Sequence, residues 1–362
     1  MAPTADAGRV LLAVLVATAA LSGGAFAATG ATQECSFPYS KIDATGTEVT
    51  VETAPETVVT LSPSAAQTMW ELDAQDKVAG VSKFATYLEG AEAKTNISGS
   101  GFTAVVVEKV VALDPDLVLA PNVISNETVG KLRDAGLTVY RFRAADTLDD
   151  VSAKTRLTGR LVGKCAAAEE TVAGMEAELS TVAEAVSGED RPRVLFVLDP
   201  AYGYTAGNGT FIDTAIETAG GENVAAAAGI EGYEVVSPEV VAERDPEWIV
   251  VTSGNPTVPK SAAYNGTTAV QEGNVVVVDS NFVSQPAPQI VRPIRAMAKA
   301  FHPEAYAAAN ETPTPSPTGT PSSTPSPTAT PSPTPTETTG PGFGAAAAVL
   351  ALIATLIVVR RD

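Results

Sequence analysis

SPEVVAERDPEWIVV, residues 237–251, repeats a pattern already present as VVVEKVVALDPDLVLA at 105–120. Each copy carries a Glu, an apolar run, Asp-Pro-acid, and then a second run rich in β-branched residues. The spacing reads as a short helix that stops at the Asp-Pro, followed by a buried strand, because Pro cannot continue a helix. In the second copy Ser237 suits a helix N-cap and Pro238 the first helical position. Glu108 and Glu239 therefore fall in the first turn, where the helix dipole stabilises a carboxylate by about 0.3–1 kcal/mol. That local role accounts for each Glu singly. The recurrence points further, to two similar α/β units that each present one exposed acid at the same structural position.

The surrounding sequence agrees. Strands are expected at 57–62, 77–82, 116–120 and 137–142, with helices at 65–72, 107–113 and 127–135 between them. The alternation restarts at 193–199 with a strand. Helices at 210–219, 238–244 and 289–300 and strands around 247–253 and 274–280 follow. Such alternation makes parallel sheets covered by helices. Between the halves, 150–187 lacks Pro, and its apolar positions Leu157, Leu161, Ala168, Val172, Met175, Leu179, Val182 and Val186 step by threes, fours and sevens. One amphipathic helix is expected there, roughly 36 residues and about 54 Å long. The expected fold is α/β, two doubly wound lobes with parallel sheets joined by one long helix. The lobes span 35–150 and 191–310, with the linker helix at 151–188.

The ends have another character. Arg9, the apolar run Val10–Leu21 and the Ala25-Phe26-Ala27 site make 1–27 a secretory signal peptide. Residues 311–340 are a Thr/Pro/Ser stalk with almost nothing to bury. Residues 341–362 hold Pro341-Gly342-Phe343, an apolar run short for a membrane helix, and Arg360-Arg361. The net charge is −19, from 42 acidic and 23 basic residues. That balance suits a saline exterior and repels the phosphates of nucleic acid. Sequons at Asn96, Asn126, Asn208, Asn265 and Asn310 fit a glycosylated surface protein. Outside the cell the two cysteines, Cys35 and Cys165, default to a disulfide closing a loop of about 130 residues; two buried thiols are the alternative.

Several segments in this order carry a resemblance: VVTLSPSAAQTMWEL, GVSKFATY, VEKVVALDPDLVLAP, LRDAGLTVY, GTFIDTAIETAGGENVA and SPEVVAERDPEWIVV. Over about 58–303 the chain resembles the substrate-binding proteins of ABC importers for cobalamin, haem and ferric siderophores, the class with a rigid helical strut. The resemblance implies that Glu108 and Glu239 dock onto arginines of the permease. It also implies ligand-facing positions at Phe84, Phe102, Pro121, Tyr204, Tyr233, Asn281 and Gln285. Here the family's charged pair in the last loop is Asn281 and Gln285, and one stacking aromatic is Pro121. The tail, with Pro341, Gly342 and Phe343 after the stalk, resembles the PGF-CTERM sorting signal of archaeal surface proteins. That implies archaeosortase processing and an anchor on the outer face of the cell membrane; a plain C-terminal membrane helix is the alternative.

Aromatic residues supply an independent hint. They are 6% of the chain, yet Phe84, Tyr87, Phe102, Tyr202, Tyr204, Tyr233 and Phe282 gather in loops after strands. Each alone reads as core; together they suit a flat apolar ligand. No cofactor and no metal site is expected. The single His, His302, reads as a helix-terminus residue, and neither a hydrolase elbow nor a phosphate loop is present. The chain is expected to be no enzyme but a monomeric, surface-anchored binding protein. Its expected ligand is a cobalamin-like corrinoid or a ferric siderophore or other iron complex, delivered to an ABC permease. The scarcity of cations in the candidate loops, little beyond Lys83 and Arg292, favours the corrinoid. A structural or adhesive surface glycoprotein is the alternative.

Overall fold

Short apolar runs become strands buried on both faces wherever helices cover a parallel sheet, and both copies of the repeat end in such a run. The structure, a computed structural model, describes residues 34–101 and 104–310. The expected signal peptide, stalk and sorting segment lie outside those residues.

The first lobe opens with an antiparallel hairpin, β1 (Tyr39–Ile42) and β2 (Glu48–Val51). Its order is then β3 (Val58–Thr60), α1 (Pro63–Glu71), β4 (Val78–Val81), β5 (Thr95–Asn96), α2 (Val107–Val111), β6 (Leu117–Ala120), α3 (Asn126–Asp134) and β7 (Val139–Arg141). The strands form one parallel sheet in the order β5-β4-β3-β6-β7. After the helices α4 (Leu148–Val162) and α5 (Cys165–Val186), the second lobe holds β8 (Arg193–Val197), β9 (Tyr204–Ala206), α6 (Phe211–Thr218), β10 (Glu222–Asn223), α7 (Val224–Ala227), β11 (Tyr233–Val235), α8 (Pro238–Arg244), β12 (Trp248–Thr252), α9 (Ala262–Asn265), α10 (Thr268–Glu272), β13 (Val275–Val278), α11 (Ser280–Val283), α12 (Val291–Phe301) and α13 (Pro303–Asn310). Its parallel sheet runs β10-β8-β12-β13, and β9 pairs with β11 as a separate antiparallel ribbon. Apart from β5 the two sheet orders correspond, with β6 and β12 in equivalent places. The expected α/β architecture of two lobes with parallel sheets is the one observed.

The repeat is conformational as well as sequential. Asp114 and Asp245 both adopt left-handed backbone, at φ 44° and 41°, a conformation that Asp tolerates better than most residues. It turns the chain out of α2 and α8. The acid after each Pro then ties its strand to the neighbour. Asp116 accepts the Glu56 and Thr57 N–H groups at 2.8 Å each, and Glu247 accepts the Arg193 N–H at 2.9 Å.

The linker corrects the expectation. Residues 150–187 form not one helix but two, broken at Gly163, whose φ of 77° caps α4. The chain doubles back: Arg156 of α4 pairs with Glu169 and Glu176 of α5, at 2.8 and 3.1 Å. The expected 54 Å rod is replaced by an antiparallel hairpin whose longer arm, α5, has 22 residues and is about 33 Å long. Each arm enters both cores. Val151 of α4 packs in the second lobe beneath Phe196 and Val250, whereas Leu161 and Val162 pack in the first beneath Leu117 and Leu119. On α5, Ala168 belongs to the first core and Met175, Val182 and Ala185 to the second. A fully buried aliphatic side chain of this size contributes about 1.5–3 kcal/mol, so parting either lobe from the hairpin would expose several such residues at once. The opposite face of each sheet is covered by local helices. Cys35 and Cys165 are joined by a disulfide that pins the first described residues to the start of α5.

At the closest approach of the two arms, a methyl group added to Gly159 would lie 2.4 Å from Ala168 Cβ and 2.9 Å from the Lys164 carbonyl oxygen. In an isolated helix, Gly→Ala stabilises by roughly 0.5–1 kcal/mol. Gly159→Ala is expected to do the reverse here, lowering unfolding free energy by about 1–3 kcal/mol in guanidinium titration. A raised midpoint would mean that the arms are not packed together.

Candidate functional site

In parallel α/β sheets, ligands gather at the carboxyl ends of the strands. The first lobe offers there Leu61–Ser64 after β3, Ser82 and Phe84 after β4, and Pro121–Ile124 after β6. They enclose a pocket of about 110 Å³ whose remaining wall is Ser284, Gln285 and Pro286 of the second lobe. The pocket therefore lies between lobes, with their carboxyl edges facing. Phe84 is 36% exposed, with the Lys83 ammonium 5.0 Å from its ring centre. Val123 is 52% exposed. Two polar features interrupt this apolar floor. The Ser62 and Ser64 hydroxyls lie 3.0 Å apart, and the buried Ser82 hydroxyl has no hydrogen-bond partner among the described residues.

The second lobe contributes the β9–β11 ribbon. Its register sets Val235 opposite Tyr204 and Tyr233 opposite Ala206. Directly opposed and alternate residues share a face, so Tyr204, Tyr233 and Val235 project together. Thr205 turns the other way, to bond the Phe196 carbonyl at 2.6 Å. Burial pushes the Tyr233 hydroxyl up, reinforced by the charge of Asp146, so the phenol stays neutral. Tyr202, at the turn before the ribbon, is 74% exposed.

The sequence-predicted ligand positions thus divide. Phe84, Pro121 and Gln285 meet in the interlobe pocket, and Tyr204 and Tyr233 share the ribbon face. Tyr87 and Phe282 touch each other, one from each lobe, edge to face with ring centres 6.1 Å apart. Phe282 also takes the Arg292 guanidinium over its ring at 4.9 Å. Asn281 lies in α11, where its N–H bonds the capping Asp279 carboxylate at 2.8 Å. Phe102 lies outside the described residues. Ser82 and Val123 were missed: a Ser after a strand gives no signal of its own, and Val123 sits in a loop, APNVIS, whose apolar members read as core.

The Tyr87–Phe282 contact belongs to a wider tie. Buried Gln67 of α1 donates to the Tyr87 hydroxyl at 2.8 Å and accepts the Gln289 N–H at 3.1 Å, and Gln289 donates to the Glu71 carboxylate. Burial raises the Tyr87 hydroxyl to about 12 against the opposing Gln67 bond, with Asp279 and Glu71 adding to the rise.

Glu108 and Glu239 are each the second residue of their helices, α2 and α8. Because α2 leads into β6 and α8 into β12, each helix starts over the carboxyl edge of its sheet. Both carboxylates are exposed and make no ion pair with a described residue. At the far end of the second lobe, His302 caps α12 and its ring nitrogen lies 3.2 Å from the Gly220 carbonyl, a structural position remote from the cleft loops.

Comparison with known proteins places this geometry. The family model described as periplasmic binding protein matches residues 58–282. A cobalamin-binding protein of Halobacterium salinarum is 48% identical over 342 residues, covering 91% of this chain and 90% of that protein. An uncharacterized ABC transporter substrate-binding lipoprotein of Bacillus subtilis, YvrC, is 28% identical over 279 residues, 75% of this chain and 87% of its own. Among solved structures, the apo periplasmic heme-binding protein RhuT of Roseiflexus sp. RS-1 superposes with a TM-score of 0.61 at 26% identity, covering 69% of this chain and 99% of that one. These relatives are binding proteins rather than enzymes, as expected for this chain.

Gln67→Leu would keep the shape of the tie but leave the Tyr87 hydroxyl and the Gln289 N–H unbonded. Each such loss costs about 1–3 kcal/mol. The expected outcome is a lower denaturation midpoint together with faster hydrogen exchange at Gln289; an unchanged rate at Gln289 would show that the tie does not hold the lobes.

Proposed function

We propose that this chain, which belongs to the periplasmic binding protein family, captures a corrinoid in the cleft between its lobes and delivers it to the permease of an ABC importer. What carries this reading is the likeness to the halobacterial cobalamin-binding protein over nine-tenths of both chains. The chemistry of the cleft agrees with it. Pockets for ligands of drug size usually hold about 300–1,000 Å³, so the enclosed 110 Å³ suits an edge or substituent of a macrocycle. The flat body then lies between Phe84 and Val123 on one side and the Tyr204–Tyr233 face on the other, where aromatic contact is favourable. The Ser82 hydroxyl and the Gln285 amide supply polar contacts to the rim. A ferric catecholate, by contrast, calls for converging cations. Lys83 and Arg292 are each laid over an aromatic ring instead.

Delivery rests on Glu108 and Glu239. Two exposed acids, one per lobe, on the edges that flank the cleft, make a two-point electrostatic match for cations on a permease. The signal peptide at 1–27, the stalk at 311–340 and the segment around Pro341, Gly342 and Phe343 support export and tethering at the outer face of the membrane, with archaeosortase processing. The five sequons support glycosylation of the exported chain.

Two sets of variants separate capture from delivery. Calorimetry of the full chain is expected to give saturable binding of cobalamin and weaker binding of haem. Phe84→Ala and Tyr204→Ala should each weaken cobalamin by about tenfold or more, the scale of losing a stacked aromatic contact of roughly 0.5–1.5 kcal/mol plus its buried area. Unchanged affinity removes those residues from the site, and haem binding tighter than cobalamin overturns the choice of ligand. Glu108→Ala with Glu239→Ala is expected to abolish uptake while leaving affinity intact. Normal uptake by that double variant would refute docking.

A further inference from the structure

We propose that a groove of the first lobe, between β1, the segment after β7 and α4, is a second binding site, for a small organic anion: a phosphate or carboxylate carried on an apolar body. The groove holds about 610 Å³, within the usual range of small-molecule sites. It is distinct from the interlobe cleft and does not depend on the transport reading.

Charge is what sets it apart. The chain carries 42 acidic against 23 basic residues, yet Lys41, Arg143 and Arg160 converge on this groove. None of the three is paired with a described carboxylate. The two acids in its wall are already engaged. Asp43 is held by Arg133 at 2.5 Å, and Asp150 accepts the Thr147 hydroxyl at 2.7 Å within a helix cap. Beside them lies Lys154, whose ammonium donates to the Pro286 carbonyl and pairs with no carboxylate among the described residues. Burial pushes its pKa down to about 8. An ammonium offers three donors, and this half-buried Lys spends one of them on a described residue, which leaves donors free for a ligand among like-charged neighbours. An anion meets both conditions. Arginine forks match the oxygens of phosphate or carboxylate in pairs. A fourth cation in the wall, Arg156, is already paired with Glu169 and Glu176; the apolar part of the wall, with Tyr39, Leu157 and Ile42, the last 59% exposed, suits a ligand with a hydrophobic body rather than a bare ion. Through the Pro286 carbonyl, Lys154 also touches the loop that closes the interlobe pocket.

The test is calorimetric titration of the full chain, at low salt, with phenyl phosphate and separately with inorganic phosphate. Saturable binding of phenyl phosphate is expected, with inorganic phosphate weaker. Arg143→Gln with Arg160→Gln should weaken phenyl phosphate at least about tenfold, the scale of losing one charged hydrogen bond. Neither side chain makes a hydrogen bond to a described residue, so the double variant is expected to fold as the parent does. Lys299→Gln, an exposed cation on α12, should bind as the parent does. The proposal is overturned if phenyl phosphate gives no saturable heat, if the double variant binds unchanged, or if Lys299→Gln weakens binding equally. Inorganic phosphate binding as tightly as phenyl phosphate would overturn the apolar part of the assignment.

Discussion

The packing of α4 against α5 is the constraint on which the remainder depends. Two antiparallel helices, joined at Gly163 and clasped by Arg156 to Glu169 and Glu176, insert apolar side chains into both lobes. A single helix bridging two domains could bend or swivel where it leaves each of them. A hairpin whose arms are both shared by both cores has no free segment about which to turn. Opening the lobes would cost buried area in two places together, and the Gln67–Gln289 tie adds a polar lock near the cleft. The cleft is thus set before any ligand arrives, which lowers the ordering cost of binding.

On this frame the doubled sequence gains two physical roles. Its Asp-Pro-acid portion is architectural. A left-handed Asp turns the chain, and the following acid bonds the backbone at the start of a neighbouring strand. Its Glu portion has no such duty, for both carboxylates stand exposed at helix starts without ion-pair partners among the described residues. The same topology that aligns the two strands also carries the two acids to the edges flanking the cleft, so the acid spacing follows from the hairpin.

Much of the fold was legible because its signals are local. Fully apolar runs such as Leu117–Ala120 and Trp248–Thr252, bounded by Pro and turn residues, read directly as buried strands. The hairpin break was not. Leu161 and Ala168 are seven residues apart, a step that preserves the helical phase, so the apolar stripe runs unbroken across Gly163. Contacts between the arms, such as Arg156 with Glu169 and Glu176 and Gly159 against Ala168, reveal the reversal. The β9–β11 ribbon was likewise unread, since its strands have three residues each and their partner lies far along the chain. For the site, Phe84, Pro121 and Gln285, positions named by the family resemblance, line one pocket. Tyr87 and Phe282 have the same local signature but touch one another across the lobes. Residue type and loop position do not distinguish a side chain that faces a ligand from one that faces the opposite lobe.

The helix hairpin fixes the separation of the lobes. Spin labels introduced as unnatural amino acids at Ala93 and Asn255, which leave the Cys35–Cys165 disulfide intact, would report that separation by pulsed dipolar spectroscopy. A single narrow distance population is expected, shifted by less than about 2 Å when cobalamin is added. A broad population in the free chain, or a shift well beyond that, would mean that the hairpin does not hold the lobes apart at a fixed distance.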